Sequence, residues 1–89
     1  MAFKVLIKKS ALKNLEVLPQ SVQLKFETLI RVLIDSGATG PYNWQNYSKL
    51  NVNQYHCHLT YRYVACWRHE KNTIIIEVYY VGSREAAPY

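Results

Sequence analysis

The sequence predicts an α+β fold: an N-terminal strand, a helical hairpin, then an antiparallel β-meander with the helices packed on one face of the sheet. Three observations predict it. Residues 2–8 alternate apolar and basic side chains. Residues 10–36 repeat aliphatic residues at helical spacing. From Gln54 onward, aromatic and β-branched residues dominate.

The opening strand follows from the alternation. Phe3, Val5 and Ile7 point one way, and Lys4 and Lys8 the other, the pattern of a strand with one buried face. Ser10 is expected to cap a short helix that carries Leu12, Leu15 and Leu18 and ends at Pro19. Ser21 is expected to cap a second helix, whose buried stripe is Val22, Phe26, Leu29, Ile30 and Leu33. Gly37 is placed to stop it. Residues 37–53, rich in Gly, Pro, Asn and Ser, read as loop, with a short strand near Gln45–Leu50. Gln54–Thr60 and Arg62–Arg68 read as strands, Glu70-Lys71-Asn72 as a turn, and Thr73–Val81 as a strand ending at Gly82. Thr60-Tyr61-Arg62 lacks Gly, Asn and Asp, so a tight turn and one long bent strand both fit there.

Length and composition bound the function. At 89 residues the chain has room for one domain, 1–89. With 49% hydrophobic and 19% charged residues it is globular in composition. No apolar run approaches the ~20 residues of a spanning helix. The start, Met1-Ala2-Phe3-Lys4, has no signal-peptide pattern, so cytoplasmic residence is expected and a membrane is not. In that compartment Cys57 and Cys66 are expected to be free, buried thiols. Eleven Lys and Arg against six Asp and Glu leave a net charge of +5, which suits nucleic acid or an acidic protein.

The candidate chemistry lies on the sheet and in the tail. His56 and His58, two apart in a strand, share a face, while Tyr55, Cys57 and Leu59 fill the opposite one. Histidine is suited to proton transfer near neutral pH. The pair reads as a base and a phosphate clamp, or as two ordinary surface histidines. Zinc is disfavoured: Cys57 points away from both histidines and no Cys-x-x-Cys spacing occurs. In the tail, Arg84 can grip a phosphate through two hydrogen bonds. Tyr89 can stack on a base or give up its hydroxyl proton. Arg62, Tyr61 and Tyr63, at the hairpin end, and Lys49 have the composition of a single-strand RNA surface. Trp67 is expected in the core, while for Trp44, in the loop, core and surface positions both fit.

Together these pieces resemble the RelE/ParE toxin superfamily, and its RelE branch in particular. The resemblance runs through Lys8-Lys9-Ser10-Ala11-Leu12-Lys13, Leu18-Pro19, Tyr55-His56-Cys57-His58-Leu59, Tyr63-Val64-Ala65-Cys66-Trp67 and Tyr80-Val81-Gly82-Ser83-Arg84-Glu85 with Tyr89. It implies a RelE-like microbial RNase fold and an mRNA interferase of a type II toxin–antitoxin system, which represses translation. Such an enzyme cuts mRNA on the ribosome, without cofactor or metal, by attack of the RNA 2′-OH on the adjacent phosphate. Matched by position, His56, His58, Arg84 and Tyr89 are the implied catalytic set, with Arg62 a looser match because the turn before it is shorter; Arg62, Tyr61 and Lys49 are the expected RNA contacts. Histidines where relatives carry paired Lys, Arg or His imply a stronger dependence on pH. The sequence stops at Tyr89, where several relatives add a helix. The implied partners are an acidic antitoxin, mRNA and the ribosome. A dimer and a toxin–antitoxin hetero-oligomer are both compatible. Two other readings share the fold: a ParE-like inhibitor of DNA gyrase that cuts nothing, and an inactive RNA-binding relative.

Overall fold

The computed structural model describes residues 2–89. Strand β1 (Lys4–Ile7) leads into helices α1 (Lys9–Glu16) and α2 (Gln20–Ser36), followed by β2 (Ser48–Lys49), β3 (Gln54–His58), β4 (Tyr63–His69) and β5 (Ile75–Ser83). The five strands form one sheet in the order β1-β5-β4-β3-β2. The four later strands are antiparallel neighbours, as the meander requires. β1 joins beside β5 in parallel, Lys4 opposite Ile75, so the sheet is mixed.

Both helices start differently from the sequence expectation. The β1–β5 ladder extends to Lys8, whose N–H donates to the Val78 carbonyl at 2.9 Å. Lys8 is therefore the N-cap of α1 and Ser10 lies inside the helix, with no side-chain cap. Pro19 takes the N-cap of α2, again with no side-chain cap, and Ser21 falls within the helix. The Pro19 carbonyl accepts from Val22 and Gln23 at 3.0 and 3.1 Å. Proline's fixed φ thus opens α2, while α1 has already ended at Glu16.

The core lies between the helices and one face of the sheet. Val22, Phe26, Leu29 and Leu33 of α2 meet Tyr55, Cys57, Ala65, Trp67, Ile76, Val78 and Val81. Trp67 is fully buried, and its indole N–H donates to the Ala38 carbonyl at 3.0 Å, which ties the 37–47 loop to the sheet. Trp44 packs against the same core, with the Lys25 ammonium 4.9 Å from its ring centre. Both cysteines are free and buried. Burial is the main cause that pushes each thiol up to about 12. Cys57 belongs to the core, and Cys66 sits on the reverse face, opposite His56.

Gly37 caps α2 at φ 83 and ψ −172, a region that is essentially glycine-only. A Cβ there would also sit 2.8 Å from the Phe3 ring. Gly37→Ala is expected to cost about 2–3 kcal/mol, since strain and overpacking act together. The drop in urea unfolding midpoint measures it, and an unchanged midpoint would contradict it.

At residues 60–62 the chain makes a tight turn, not a long bent strand. Leu59 and Thr60 N–H groups both point to the Tyr63 carbonyl, at 2.8 and 3.3 Å. The next turn keeps Thr73: its hydroxyl donates to the Glu70 carbonyl at 2.8 Å and accepts from Ile75 N–H at 3.1 Å. β5 therefore starts two residues later than expected and continues through Gly82 to Ser83. No described helix is long and apolar enough to cross a membrane.

Candidate active site

β3 alternates as expected, so His56 and His58 share the sheet face away from the helices, with ring centres 6.0 Å apart. They are not exposed, however: His56 is 8% and His58 7% accessible. The tail accounts for part of this. Arg84 N–H donates to the Arg62 carbonyl at 2.8 Å, and Ala87 N–H to the Arg84 carbonyl at 3.4 Å. That turn sends the chain back across the sheet and sets the Tyr89 ring 4.5 Å from the His56 ring.

Gly82 has a packing reason. A Cβ there would meet the Tyr80 hydroxyl at 2.8 Å. Tyr80 uses that space to donate to the Ser83 carbonyl at 2.7 Å, which holds the strand end from which Arg84 emerges. The Arg84 guanidinium lies 4.3 Å from the Tyr61 ring centre and donates to the Tyr61 hydroxyl at 3.2 Å. The hairpin turn thus supports the arginine through a cation–π contact.

An open cleft of about 720 Å³ gathers His56, His58, Arg84 and Tyr89, together with Ser48, Asn46, Tyr47 and Glu85. The four sequence candidates with catalytic chemistry therefore meet. Arg62 lines an adjoining cleft that shares Arg84 and Glu85, and Tyr61 touches Arg84 without lining either cleft. Lys49 is not brought there. It lies opposite Tyr55 in the β2–β3 register, with its ammonium 5.8 Å from that ring, on the side of the sheet away from the histidines. Among the described residues no group of three His, Cys, Asp or Glu is placed to hold a metal.

Ser48 is the residue that sequence reasoning missed. Its hydroxyl is 3.0 Å from His56 Nδ1. Only the β2–β3 register, Ser48 opposite His56, puts it there, and two-residue β2 has no periodicity to read. With Nδ1 engaged by Ser48, Nε2 is the nitrogen left for a substrate. Asn46 was missed as well. Its amide nitrogen is 3.5 Å from His58 Nε2, while His58 Nδ1 is buried without a partner.

Burial is the main cause that holds the His56 pKa below its ordinary 6.5, with the neighbouring His58 second and a Ser48 backbone hydrogen bond opposing. His56 is thus mostly neutral at physiological pH. The Tyr89 phenol is pushed up by burial first, then by Cys66 and Tyr80, with Arg84 opposing, so it stays protonated. A neutral imidazole, a protonated phenol and a fixed guanidinium in one cleft can perform general acid–base chemistry on a phosphate ester.

The lowered pKa carries a stability consequence. Above pH 6.5 both folded and unfolded His56 are neutral, and the folded state loses nothing. Below it the unfolded chain binds a proton that the folded chain resists, so stability falls until the folded pKa is passed. Urea midpoints taken from about pH 7.5 to about 5 should decline, and His56→Gln should reduce that decline. An identical decline in the variant would contradict the assignment.

No protein-family model and no curated protein matches this sequence. Solved structures do match in fold. The archaeal RelE in the RelE–RelB complex from Pyrococcus horikoshii OT3 superposes with a TM-score of 0.76 at 18% identity, over 98% of this chain and 100% of that one. A mutant of the E. coli toxin RelE in the free state gives 0.76 at 19%, over 98% and 88%. The toxin–antitoxin complex RelBE2 from Mycobacterium tuberculosis gives 0.58 at 13%, over 94% and 100%. Across nearly its whole length, then, this chain has the fold of the RelE toxins.

Proposed function

We propose that the chain is the toxin of a bacterial type II toxin–antitoxin pair, a cytoplasmic endoribonuclease that cleaves mRNA on the ribosome and so represses translation. The meeting of His56, His58, Arg84 and Tyr89 in one cleft carries this reading. The RelE–RelB and RelBE2 complexes among the structural neighbours support an antitoxin as partner, and the charge of +5 suits an acidic one.

His56 Nε2 takes the proton of the RNA 2′-OH, and the oxygen then attacks the adjacent phosphorus. Arg84 holds the non-bridging oxygens and stabilises their growing charge. His58, with its ring centre 6.0 Å from that of His56, adds a second contact to the phosphate. The bond from phosphorus to the 5′ oxygen breaks, and Tyr89 supplies the proton that this oxygen needs. The products are a 2′,3′-cyclic phosphate and a 5′-hydroxyl, with every proton accounted for. The reaction needs no metal, because side chains supply both the charge and the proton transfer.

The purified protein is to be added to translating ribosomes and, in parallel, to a gyrase supercoiling reaction. Cleaved mRNA with cyclic phosphate ends and normal supercoiling is the expected result. Inhibited supercoiling with intact mRNA would replace this reading by the gyrase-binding one.

A further inference from the structure

A second cavity lies next to the cleft, and His58 lines both. It measures about 290 Å³, and Lys25, Asn43, Trp44, Gln45 and Leu59 complete it. The division between the two falls at Asn46. That residue has φ 53, the left-handed conformation that asparagine tolerates better than most residues. Residues 43–45 face the second cavity, and 46–48 face the cleft.

This loop is built into the fold. The Gln45 carbonyl accepts from His58 N–H at 2.8 Å, and Trp44 N–H donates to the Pro41 carbonyl at 3.0 Å. The second cavity is thereby held at a fixed distance from the catalytic histidines. Its wall offers two exposed carboxamides and one ammonium. His58, which lines both spaces, forms the boundary between them.

We propose that this cavity receives the base of the nucleotide beside the cleaved linkage, and that Asn43 and Gln45 read its edge. A carboxamide presents a donor and an acceptor side by side, and its best match is the N6/N7 edge of adenine. Single-stranded RNA is read in this way, by bases splayed out of the stack. Lys25 then neutralises a flanking phosphate. Adenine is the expected preference. The inference rests on the ribonuclease reading above and adds to it a cause of sequence choice.

The test has two arms. In the first, the side-chain amides of Asn43 and Gln45 and the Trp44 indole are followed by NMR while AMP, UMP or inorganic phosphate is added. The expected result is a larger perturbation by AMP than by UMP, absent with phosphate alone. Equal shifts with phosphate, or none with AMP, would overturn the base site. In the second, cleavage positions on one mRNA are mapped for wild type and for Asn43→Ala/Gln45→Ala. Both residues are exposed, so the double variant keeps its fold. Its preference beside the cut should flatten, with the preferred sites slowed roughly 10-fold or more, as loss of one or two base contacts implies. An unchanged cleavage pattern would overturn the proposal and leave the nuclease intact. Binding of AMP by a protein that cuts no RNA would do the reverse.

Discussion

His56→Gln is expected to slow mRNA cleavage by about 10²–10⁴-fold, the range for losing a positioned general base. The wild-type rate should also have an acidic limb. Burial beside His58 holds the His56 pKa below 6.5, so the neutral base is already formed at physiological pH and is lost only below that value. The rate should rise with pH through that limb and stay level across neutrality, because Tyr89, pushed above its ordinary value of 10.0, keeps its proton. In His56→Gln the limb should vanish along with most of the rate. Glutamine keeps a polar group within reach of the Ser48 hydroxyl, 3.0 Å from Nδ1 in the wild type, so the fold survives. Single-turnover cleavage on programmed ribosomes, followed across pH, measures both effects. A variant within about threefold of wild type, against the 10²–10⁴-fold expected of a base, would remove His56 from this role.

Trp67→Ala should bring the largest loss of stability, about 3–5 kcal/mol. Trp67 is fully buried. Its ring stacks on Tyr55 at 6.2 Å and meets Tyr47 at 6.3 Å. Its N–H also holds the Ala38 carbonyl, so truncation removes packing and leaves a buried acceptor without its donor. A domain of this size has roughly 5–10 kcal/mol in all, so the variant loses a large share of its folded population at 37 °C. The N-terminal part of the 37–47 loop should loosen first, because Ala38 ties it to the sheet while the Gln45 carbonyl stays bonded to His58 N–H. Urea unfolding measures the total, and hydrogen exchange in residues 38–47 measures the local effect. A loss below about 1 kcal/mol would show that the site collapses without a cavity.

Much of the candidate site was legible because β periodicity is strict. His56 and His58 had to share a face whatever the fold. Arg84 and Tyr89 were legible as chemistry but not as neighbours of that face. They lie 28 and 33 positions from His56 (84 − 56 and 89 − 56), and only the tail's return over the sheet joins them. Lys49 fits an RNA surface by type, yet the β2–β3 register turns it to the other side. The two serine caps were misplaced for a related reason. Residue type favours Ser10 and Ser21 at helix starts. The ladder to Val78 and the fixed φ of Pro19 decided the boundaries instead.

By itself, then, the sequence determined the element types, the α+β class, the buried stripe of α2, the core position of Trp67 and the facing of the two histidines. These depend on local spacing and on the burial of apolar area, which a chain carries in its own order. Tertiary structure decided the parallel seat of β1, the tight turn at 60–62, the burial of the histidines, the link from Ser48 to His56 and the closure of the tail by Tyr89. Each of these depends on strand register or on contact between distant segments. One residue of register moves a side chain to the opposite face, and no local pattern records which register is taken.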